Sequence, residues 1–575
     1  MLHIESALQQ KWPNLPSKPI YPLLINLLKK WLHEDDINDF ITEHQHLKGF
    51  AFLDAVLAHF DFQYELKHSQ LRYIPASGRV IIVANHPIGS LDGLALLKLV
   101  QSVRHDVKIV ANDMLMHITP LQSLFLQVDN LSARAKHKQS FEQMIATLEQ
   151  EHALIIFPAG EVSRIKPNGV KDGLWKSGFL KLAQRTQSPI LPILIEARNS
   201  ALFYALSTLY KPLGSLMLVQ EMFNKQQQSI RFHISKPIPF ASLQSSDTQG
   251  KALAKQFRKY LYRLADSKKL HKKPFLETIE TISHPIDSKA LKQEIKKGQR
   301  LGETGDGKLI YLFDYDTSDL VMSEIGRLRE LSFRAVDEGT GQSYDLDRYD
   351  RDYQHLVLWD EQEWEIVGAY RMGNSAQIIE QQGVEALYCS SLFEFNSEMM
   401  PYLKYGLELG RSFVQPKYWG KRSLDYLWYG IGAYLQAHPH IRYLFGPVSL
   451  SNNYPQQAKE LITAFYAQQF GHEETLVTAK RPFHISSDTQ IIASKELNGD
   501  YQESYKKLNA LLTLHGVKVP TLFKQYSELC DDKGCRFIDF NIDPDFNHCV
   551  DAFILVDLAK VKSKKRQRYL ANNFT

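Results

Sequence analysis

Apolar residues recur every three or four positions along the first 60 residues of the chain. The stretches LLINLLKKWL and ITEHQHLKGFAFLDAVLAHF both follow this spacing, which is typical of helices with one buried face. Residues 1–60 are therefore predicted to form an N-terminal helical segment.

The pattern changes after about residue 70, where short runs rich in β-branched residues alternate with helical stretches. This alternation favours an α/β layer with a largely parallel sheet over residues 61–245. The predicted strands are Arg79–Ala84, Val107–Ala111, Ala153–Phe157, Ile190–Glu196 and Ser229–Ser235.

A second αβ unit is predicted after Leu301, which makes the fold class α/β with two sheet-containing domains. Its predicted elements are a helix at Ser323–Ala335, strands at His355–Trp359, Glu365–Met372, Tyr388–Phe395 and Tyr443–Phe445, and a helix that ends near Ala437. The predicted domain ranges are the helical segment 1–60, a first sheet domain 61–245, a basic helical linker 246–305 and a second sheet domain 306–575.

The composition narrows the class of protein. With 575 residues, 44% of them hydrophobic and 23% charged, the chain has material for at least two cores and is far from a disordered composition. Its net charge is only +4, whereas a dedicated nucleic-acid-binding protein carries a large positive charge. A dedicated nucleic-acid-binding protein is therefore excluded.

Three local features bear on compartment and membrane contact. The spacing of the four cysteines matches neither a zinc site nor a disulfide framework, which predicts reduced thiols and no bound metal. The N-terminus lacks a secretion signal, which predicts a cytoplasmic protein. The longest nearly apolar stretch, Ala201 to Phe223, is interrupted by Lys211 and Pro212, and it suits either a buried helical hairpin or a segment in the membrane interface.

The largest local charge lies between Lys251 and Arg300. This basic stretch has 14 Lys and Arg against 5 Asp and Glu, a surplus of nine positive charges. Such a run is either a solvated surface or a docking surface for an anionic bilayer or an acidic carrier protein.

The first candidate for chemistry follows the predicted strand Arg79–Ala84. The strand continues into Asn85 and His86, and Asp92 follows six residues later. A carboxylate at that distance can orient an imidazole, whose other nitrogen then takes a proton from a hydroxyl. The simpler alternative is that His86 only caps a helix.

A second block, FPAGEVSR, leaves the strand Ala153–Phe157 through a turn. Gly160, Glu161, Arg164 and nearby backbone N–H groups suit a carboxylate or phosphate headgroup. Two further blocks, WKSG and SPILP, follow at residues 175–178 and 188–192.

These four blocks, in this order, resemble the glycerolipid acyltransferase family that includes the lysophosphatidic acid acyltransferases. The resemblance covers about residues 60–240 and implies that His86 is a general base, that Asp92 is its partner and that Asn85, Gly160, Glu161 and Arg164 bind substrate. Five residues separate His86 from Asp92 where the family usually has four, and FPAGEVSR replaces the usual Phe-Pro-Glu-Gly-Thr-Arg. The hemolysin-type lipid acyltransferases share these departures, which count against phosphate as the headgroup.

The second half carries a different set of polar residues. Glu408 and Arg411 are three apart and can pair on a helix face or across a bend in a strand, and Arg371, Asp345 and Asp347 lie upstream. This order resembles the ornithine acyl-carrier-protein N-acyltransferases, which share the GNAT-like fold of the acyl-homoserine lactone synthases. The resemblance spans about residues 300–570 and implies that Glu408 and Arg411 are catalytic and that the other three bind substrate; the alternative is an ion pair that only stabilises the fold.

The acyl donor is inferred from a turn. Ordinary GNAT enzymes hold the pyrophosphate of coenzyme A on a glycine-rich loop, whereas the turn PKYWGKRSLD keeps only Gly420. An acyl carrier protein presents phosphopantetheine without that pyrophosphate and is strongly acidic, so the depleted loop favours it as donor, with no bound cofactor.

Together the resemblances imply a bifunctional synthase of ornithine-type lipids. The C-terminal domain would place a 3-hydroxyacyl chain on the amine of an amino acid, and the N-terminal domain would esterify the 3-hydroxyl, at the cytoplasmic face of the inner membrane. Ornithine, lysine and glycine remain open as the amino acid. The alternatives are a lysophospholipid acyltransferase with an accessory GNAT-like domain, and a membrane-damaging protein without enzymatic activity.

Overall fold

The computed structural model describes residues 5, 21–89, 91–111, 118–127, 134–166, 169–209, 211–246, 248–266, 275–471 and 475–570. The chain divides into two compact units, Met1–His284 and Pro285–Thr575. The division lies within the range predicted as a linker, 246–305.

The first unit is built on a mainly parallel sheet with the strand order β1-β9-β8-β2-β5-β3-β4. β8 and β9 are the antiparallel neighbours in this order, and β6 pairs with β7 in a separate hairpin. The predicted α/β class is confirmed. The strands are β1 Gln63–Glu65, β2 Val80–Ala84, β3 Val107–Ala111, β4 Phe125–Gln127, β5 Ala153–Ile156, β6 Arg164–Lys166, β7 Gly169–Lys171, β8 Ile190–Glu196 and β9 Ser229–Ile234.

Helices cover the sheet because its central strands are apolar on both faces; every residue of β2 is buried. The helix predicted over residues 41–60 is interrupted, since Gly49 adopts a left-handed φ of 57° and gives its N–H to Pro120. The helices are α1 Tyr21–Trp31, α2 Glu34–Glu43, α3 Phe50–His59, α4 His68–Leu71, α5 Leu91–Gln101, α6 Arg134–Glu149, α7 Gly178–Thr186, α8 Ala201–Leu209, α9 Lys211–Phe223, α10 Phe240–Gln244 and α11 Gly250–Leu261.

The basic stretch begins on a helix that packs into the core of the first unit. α11 buries Leu253, Ala254, Phe257 and Leu261, a spacing that places one apolar face inward and leaves the charged residues outward. Lys268, Lys269, Lys272 and Lys273 lie outside the residues that the structure describes.

The stretch from Ala201 to Phe223 forms the helices α8 and α9. Phe203, Tyr204 and Met217 form a small buried cluster, whereas Leu202 is 62% exposed. In the part of the chain that the structure describes, no helix has the length and apolar character needed to cross a bilayer.

The second unit contains a sheet with the order β10-β11-β12-β13-β15-β16-β19-β18. β15 and β16 run parallel, while neighbours such as β13 and β15 or β16 and β19 run antiparallel. The strands are β10 Gln299–Glu303, β11 Leu309–Asp314, β12 Gln354–Asp360, β13 Glu365–Asn374, β14 Phe393–Phe395, β15 Gly406–Val414, β16 Tyr443–Leu450, β17 Val477–Ala479, β18 Cys535–Asp543 and β19 Cys549–Asp557.

The prediction of a strand over Tyr388–Phe395 is wrong for its first half. Tyr388–Ser391 is a 3₁₀ turn, because the backbone N–H groups of Tyr388 and Cys389 donate to the buried carboxylate of Glu408 and not to a neighbouring strand. The helices of this unit are α12 Ser288–Ile295, α13 Asp319–Arg334, α14 Ser375–Gln382, α15 Met400–Leu403, α16 Ser423–Ala437, α17 Gln456–Phe470, α18 Ser487–Glu496, α19 Tyr501–Leu514, α20 Thr521–Ser527 and α21 Ser563–Tyr569. The four cysteines are buried free thiols.

Candidate active sites in the two units

In the first unit, the structure places His86 beside Asp92. His86 lies in the loop between β2 and α5, and its Nδ1 is 3.1 Å from Oδ2 of Asp92. Asp92 is fully buried and also accepts the backbone N–H groups of Ile88, at 3.0 Å, and Gly93, at 2.9 Å. The carboxylate therefore fixes both the imidazole and the start of α5.

Burial and pairing act in opposite directions on this pair. Burial alone lowers the pKa of the His86 imidazole, but the adjacent Asp92 carboxylate outweighs it, and the pKa lies above its ordinary value. Burial alone raises the pKa of Asp92, but His86 and the N–H donors outweigh it, and that pKa is lowered. Because Asp92 occupies Nδ1, the Nε2 atom is the ring nitrogen that can take a proton from a substrate hydroxyl.

The second sequence block meets the first at the imidazole. The ring of Phe157 stacks on that of His86, with centroids 4.1 Å apart and planes 17° from parallel. The loop that follows His86 requires a glycine at position 89, since Gly89 has φ +90° and a Cβ there would lie 2.7 Å from Val162. Two blocks that are about 70 residues apart in sequence thus form one site.

The residues predicted to bind the acceptor headgroup differ in their surroundings. Glu161 Oε2 and Arg164 Nε lie 3.5 Å apart and are partly exposed, and Gly160 adopts a left-handed φ of 66° in the same turn. The side-chain amide of Asn85 is buried and makes two hydrogen bonds with the backbone of Ile195. Asn85 thus joins the end of β2 to β8, and the substrate-binding roles of all four residues stay predictions.

In the second unit, Arg411 lies at an irregularity of the sheet. The register between β13 and β15 shifts between Ala369, opposite Phe413, and Arg371, opposite Gly410, so β15 holds one extra residue. Arg411 takes up this bulge with a left-handed φ of 49°. Such backbone strain in a non-glycine residue persists only where surrounding contacts hold it, and it is concentrated at functional sites.

Three aspartates hold the two arginines in a largely buried ion-pair network, and Oδ1 of Asp350 lies 3.3 Å from Nη1 of Arg371. Nη1 of Arg371 is 2.6 Å from Asp347 Oδ1, and Nη2 of Arg411 is 3.3 Å from Asp347 Oδ2. Asp345 Oδ2 lies 3.2 Å from Nε of Arg411. Arg371 is fully buried. It fixes the carboxylate of Asp347, which in turn fixes the guanidinium of Arg411.

The predicted pairing of Glu408 with Arg411 is wrong. Glu408 accepts the hydroxyl of Tyr353 and the N–H groups of Cys389, at 2.7 Å, and Tyr388, at 3.2 Å. Arg411 Nη1 instead donates to the Tyr388 hydroxyl, 2.9 Å away. The two residues are separated by the bulge, and both act on Tyr388: Glu408 holds its backbone and Arg411 its hydroxyl.

A small pocket, partly open to solvent, lies beside Arg411. Tyr388 and Ser449 line it together with two carboxyls that the sequence analysis missed, Glu338 and Asp551. Burial raises the pKa of Glu338 to about 8, with a further increase from Asp551, and burial raises the pKa of Asp551 to about 7. The sequence gives one indication of Asp551, because a carboxyl interrupts the apolar run CVDAFILV. It gives no comparable indication of Glu338.

The pairing of the central parallel strands ends near this pocket. β15 and β16 pair only between Gly406–Glu408 and Tyr443–Phe445, although both strands continue beyond these residues. Gly446 follows the last paired residue of β16, and a Cβ there would lie 2.0 Å from the carbonyl oxygen of Leu409, so the two strands still approach closely where their pairing ends.

Comparison with known proteins agrees with this division. The family described as Acyltransferase matches residues 7–269, and the Acetyltransferase (GNAT) domain family matches residues 328–429. Both resemblances drawn from the sequence motifs are thereby confirmed at the level of the domain families.

Three curated relatives are similar to parts of the chain. A glycine N(alpha)-acyltransferase of Phocaeicola vulgatus is 33% identical over 306 residues, 51% of this chain and 93% of the relative. A lyso-glycine lipid O-acyltransferase of Bacteroides thetaiotaomicron is 30% identical over 256 residues, 43% of this chain and 92% of the relative. An L-ornithine N(alpha)-acyltransferase of Brucella abortus is 32% identical over 145 residues, 22% of this chain and 49% of the relative.

Proposed function

This chain belongs to the family of lipid N- and O-acyltransferases, with an O-acyltransferase-type domain and a GNAT domain in one polypeptide, and we propose that it makes an aminolipid in two consecutive steps. The second unit acylates the α-amine of an amino acid with a 3-hydroxyacyl group, and the first unit esterifies the 3-hydroxyl of that product. The relatives with nearly full-length matches act on glycine and lyso-glycine lipid by name, which favours glycine as the amino acid over ornithine.

The observation that carries the first step is the pocket that holds Arg411 together with carboxyls of raised pKa. Arg411 lines this pocket, and we assign it to the α-carboxylate of the amino acid, which would share its guanidinium with Asp345 and Asp347. Asp551, with a pKa of about 7, takes one proton from the α-ammonium near neutral pH, as a general base requires. The free amine then attacks the thioester carbonyl and the C–N bond forms. The C–S bond breaks, and the second proton lost by the nitrogen passes to the departing thiolate, which leaves as the thiol.

The second step uses the His86 pair. Nε2 of His86 takes the proton of the 3-hydroxyl as its oxygen attacks a second acyl thioester, and the imidazolium returns that proton to the departing thiolate. Asp92 stays ionised and stabilises the imidazolium in between. A carboxylate headgroup on the acceptor suits the exposed side of Arg164.

An acyl carrier protein is the proposed donor and partner for the first step. The part of β15 and β16 beyond their last paired residues, Glu408 and Phe445, is the part of the sheet that we assign to the amide-bearing arm of phosphopantetheine. The surplus of nine positive charges between Lys251 and Arg300 favours an acidic carrier protein and an anionic bilayer, and it supports the proposal that the enzyme works at the cytoplasmic face of the inner membrane.

Reconstitution tests the proposed function. The purified full chain is supplied with 3-hydroxyacyl carrier protein, a second acyl carrier protein thioester and either glycine, ornithine or lysine, and the lipids are analysed by mass spectrometry. We expect a mono-acylated amino acid first and the diacylated lipid later. Turnover of lysophosphatidate with none of any lyso-aminolipid would instead identify a lysophospholipid acyltransferase.

The pH dependence of the first step tests the role of Asp551. N-acylation is expected to decline as the pH falls through about 7, because protonated Asp551 no longer accepts a proton. Asp551→Asn should lower the N-acylation rate ~10²–10⁴-fold and abolish this acid limb, with O-acylation of added lyso-lipid unchanged. Asp557→Asn, at the end of the same strand, is the control; an Asp551→Asn enzyme with the normal rate and limb contradicts the assignment.

A further inference from the structure

We propose that Asp172 is a positioning residue of the first site, which fixes the backbone of His86 and supplies a second negative charge beside its imidazole. The inference rests on the proposed O-acylation by His86. Asp172 lies outside the four sequence blocks, between FPAGEVSR and WKSG.

The carboxylate of Asp172 is fully buried and joins three segments of the site. Oδ1 accepts the hydroxyl of Ser163 at 2.5 Å and the backbone N–H of His86 at 3.3 Å. Oδ2 accepts Nε1–H of Trp175 at 2.8 Å. One side chain thus connects the loop of the base to the blocks FPAGEVSR and WKSG.

The backbone of His86 is held on both sides by this arrangement. Its N–H donates to Asp172, and its carbonyl accepts the N–H of Ser163 at 2.7 Å. Ser163 is itself bound to Asp172 through its hydroxyl. The position of the imidazole therefore depends on Asp172 directly and also through Ser163.

Asp172 is in turn fixed by its own backbone. Its N–H donates to the Tyr262 hydroxyl at 2.8 Å, and its carbonyl accepts Lys166 Nζ at 2.6 Å and Arg258 Nη2 at 2.7 Å. Arg258 belongs to α11, so the basic stretch contributes to the site of the first unit. A purely local role of Asp172 would not require anchors from two other segments.

The hydrogen bonds favour the charged form of Asp172. The N–H groups of His86 and Trp175 can only donate to its oxygens, which suits the carboxylate anion better than the acid. Burial raises the pKa of Asp172, and the donors from Ser163 and Trp175 reduce that rise without cancelling it; the ionised carboxylate adds to the effect of Asp92 in raising the pKa of His86. The other charged or titratable groups around the pair are Lys166, Lys171, Glu161, Arg258 and Tyr262.

An NMR titration of the full chain labelled with ¹³C-histidine tests this inference without substrate. The His86 signal is assigned as the one missing from His86→Gln. In Asp172→Asn the pKa of His86 is expected to fall by about 1 unit, because an opposite charge close by is lost. Asp106→Asn, which breaks the Arg104 ion pair elsewhere in the unit, should leave it unchanged.

Kinetics on supplied lyso-lipid give the second readout. Asp172→Asn should lower kcat of O-acylation ~10–100-fold through displacement of the base and leave KM nearly unchanged. O-acylation declines at low pH as His86 is protonated, and this decline should move to lower pH in the variant. Asp172→Glu, which keeps the charge, should restore the pKa of His86 more fully than it restores kcat. The two proposals can be told apart. If the wild-type enzyme does not acylate lyso-lipid but the pKa of His86 still changes in Asp172→Asn, the proposed function is wrong and the positioning role of Asp172 stands.

A wild-type His86 pKa and a wild-type kcat in Asp172→Asn would overturn the positioning role. If that variant does not fold, Ser163→Ala takes its place, since it keeps the carboxylate and removes one of its donors. It is expected to lower kcat about 3–10-fold with the pKa of His86 near the wild-type value. An unchanged kcat in Ser163→Ala would then overturn the role.

Discussion

Replacement of His86 by alanine is expected to abolish O-acylation while N-acylation continues at its normal rate. The imidazole Nε2 removes the proton from the attacking 3-hydroxyl, whereas the second unit uses a different set of groups. Loss of a general base lowers a rate ~10²–10⁴-fold, and lyso-aminolipid should accumulate. Asp92→Asn should have the same effect, because Asp92 orients Nδ1 at 3.1 Å.

A second histidine of the first unit provides the matched control. His233 Nε2 lies 2.7 Å from Glu196, so His233→Ala also removes a histidine paired with a carboxylate. It should leave both acylations unchanged. Normal amounts of diacylated lipid from His86→Ala would remove His86 from the mechanism.

Loss of Arg411 is expected to stop the first step. Arg411→Gln removes the cation proposed to bind the amino acid carboxylate and leaves Asp345 and Asp347 without their shared partner, so neither lyso-lipid nor diacylated lipid should form. Lyso-lipid added from outside should still be esterified, because the first unit is intact. The measurement is N-acylation by the purified full chain, with lipid analysis by mass spectrometry.

The stability of the Arg411 variant has to be measured beside its activity. Removal of one partner from a buried ion pair destabilises a fold by about 3–5 kcal/mol, so circular dichroism and thermal melting accompany the assay. Arg411→Lys keeps the charge and should fold while still losing most N-acylation, because lysine cannot bind Asp345, Asp347 and the Tyr388 hydroxyl together. Arg442→Gln is the control, because Arg442, directly before β16, forms an exposed ion pair with Asp557. A folded Arg411→Lys enzyme with full activity would contradict the proposed role of Arg411.

Glu408 is expected to act through Tyr388. Glu408→Gln should reduce N-acylation less than Arg411→Gln does, since one amide oxygen still accepts a backbone N–H from the 388–389 turn. Glu460→Gln is the comparison, because Glu460 is a buried carboxylate of the same unit that accepts Ser486 and Thr489. Equal losses of activity in both variants would reduce Glu408 to a role in stability.

Several features of this protein follow from the sequence because their signals are local. The alternation of short apolar runs with helical stretches predicted both sheet domains, since strand and helix periodicities are set by neighbouring residues. The blocks around His86 and Phe157 each carry their chemistry within about ten residues. His86 and Asp92 are near enough in the chain for one turn and one helix start to bring them together.

Other features were decided only by the tertiary structure. Asp172 is 86 residues from His86, and Tyr388 is 23 residues from Arg411, so their hydrogen bonds depend on how distant segments pack. The separation of Glu408 from Arg411 depends on a bulge whose register is fixed by β13, a neighbouring strand. The raised pKa values of Glu338 and Asp551 depend on burial. The sequence shows which chemical groups are present. Strand register, burial and long-range hydrogen bonds are determined only when distant segments pack together in the folded sheets.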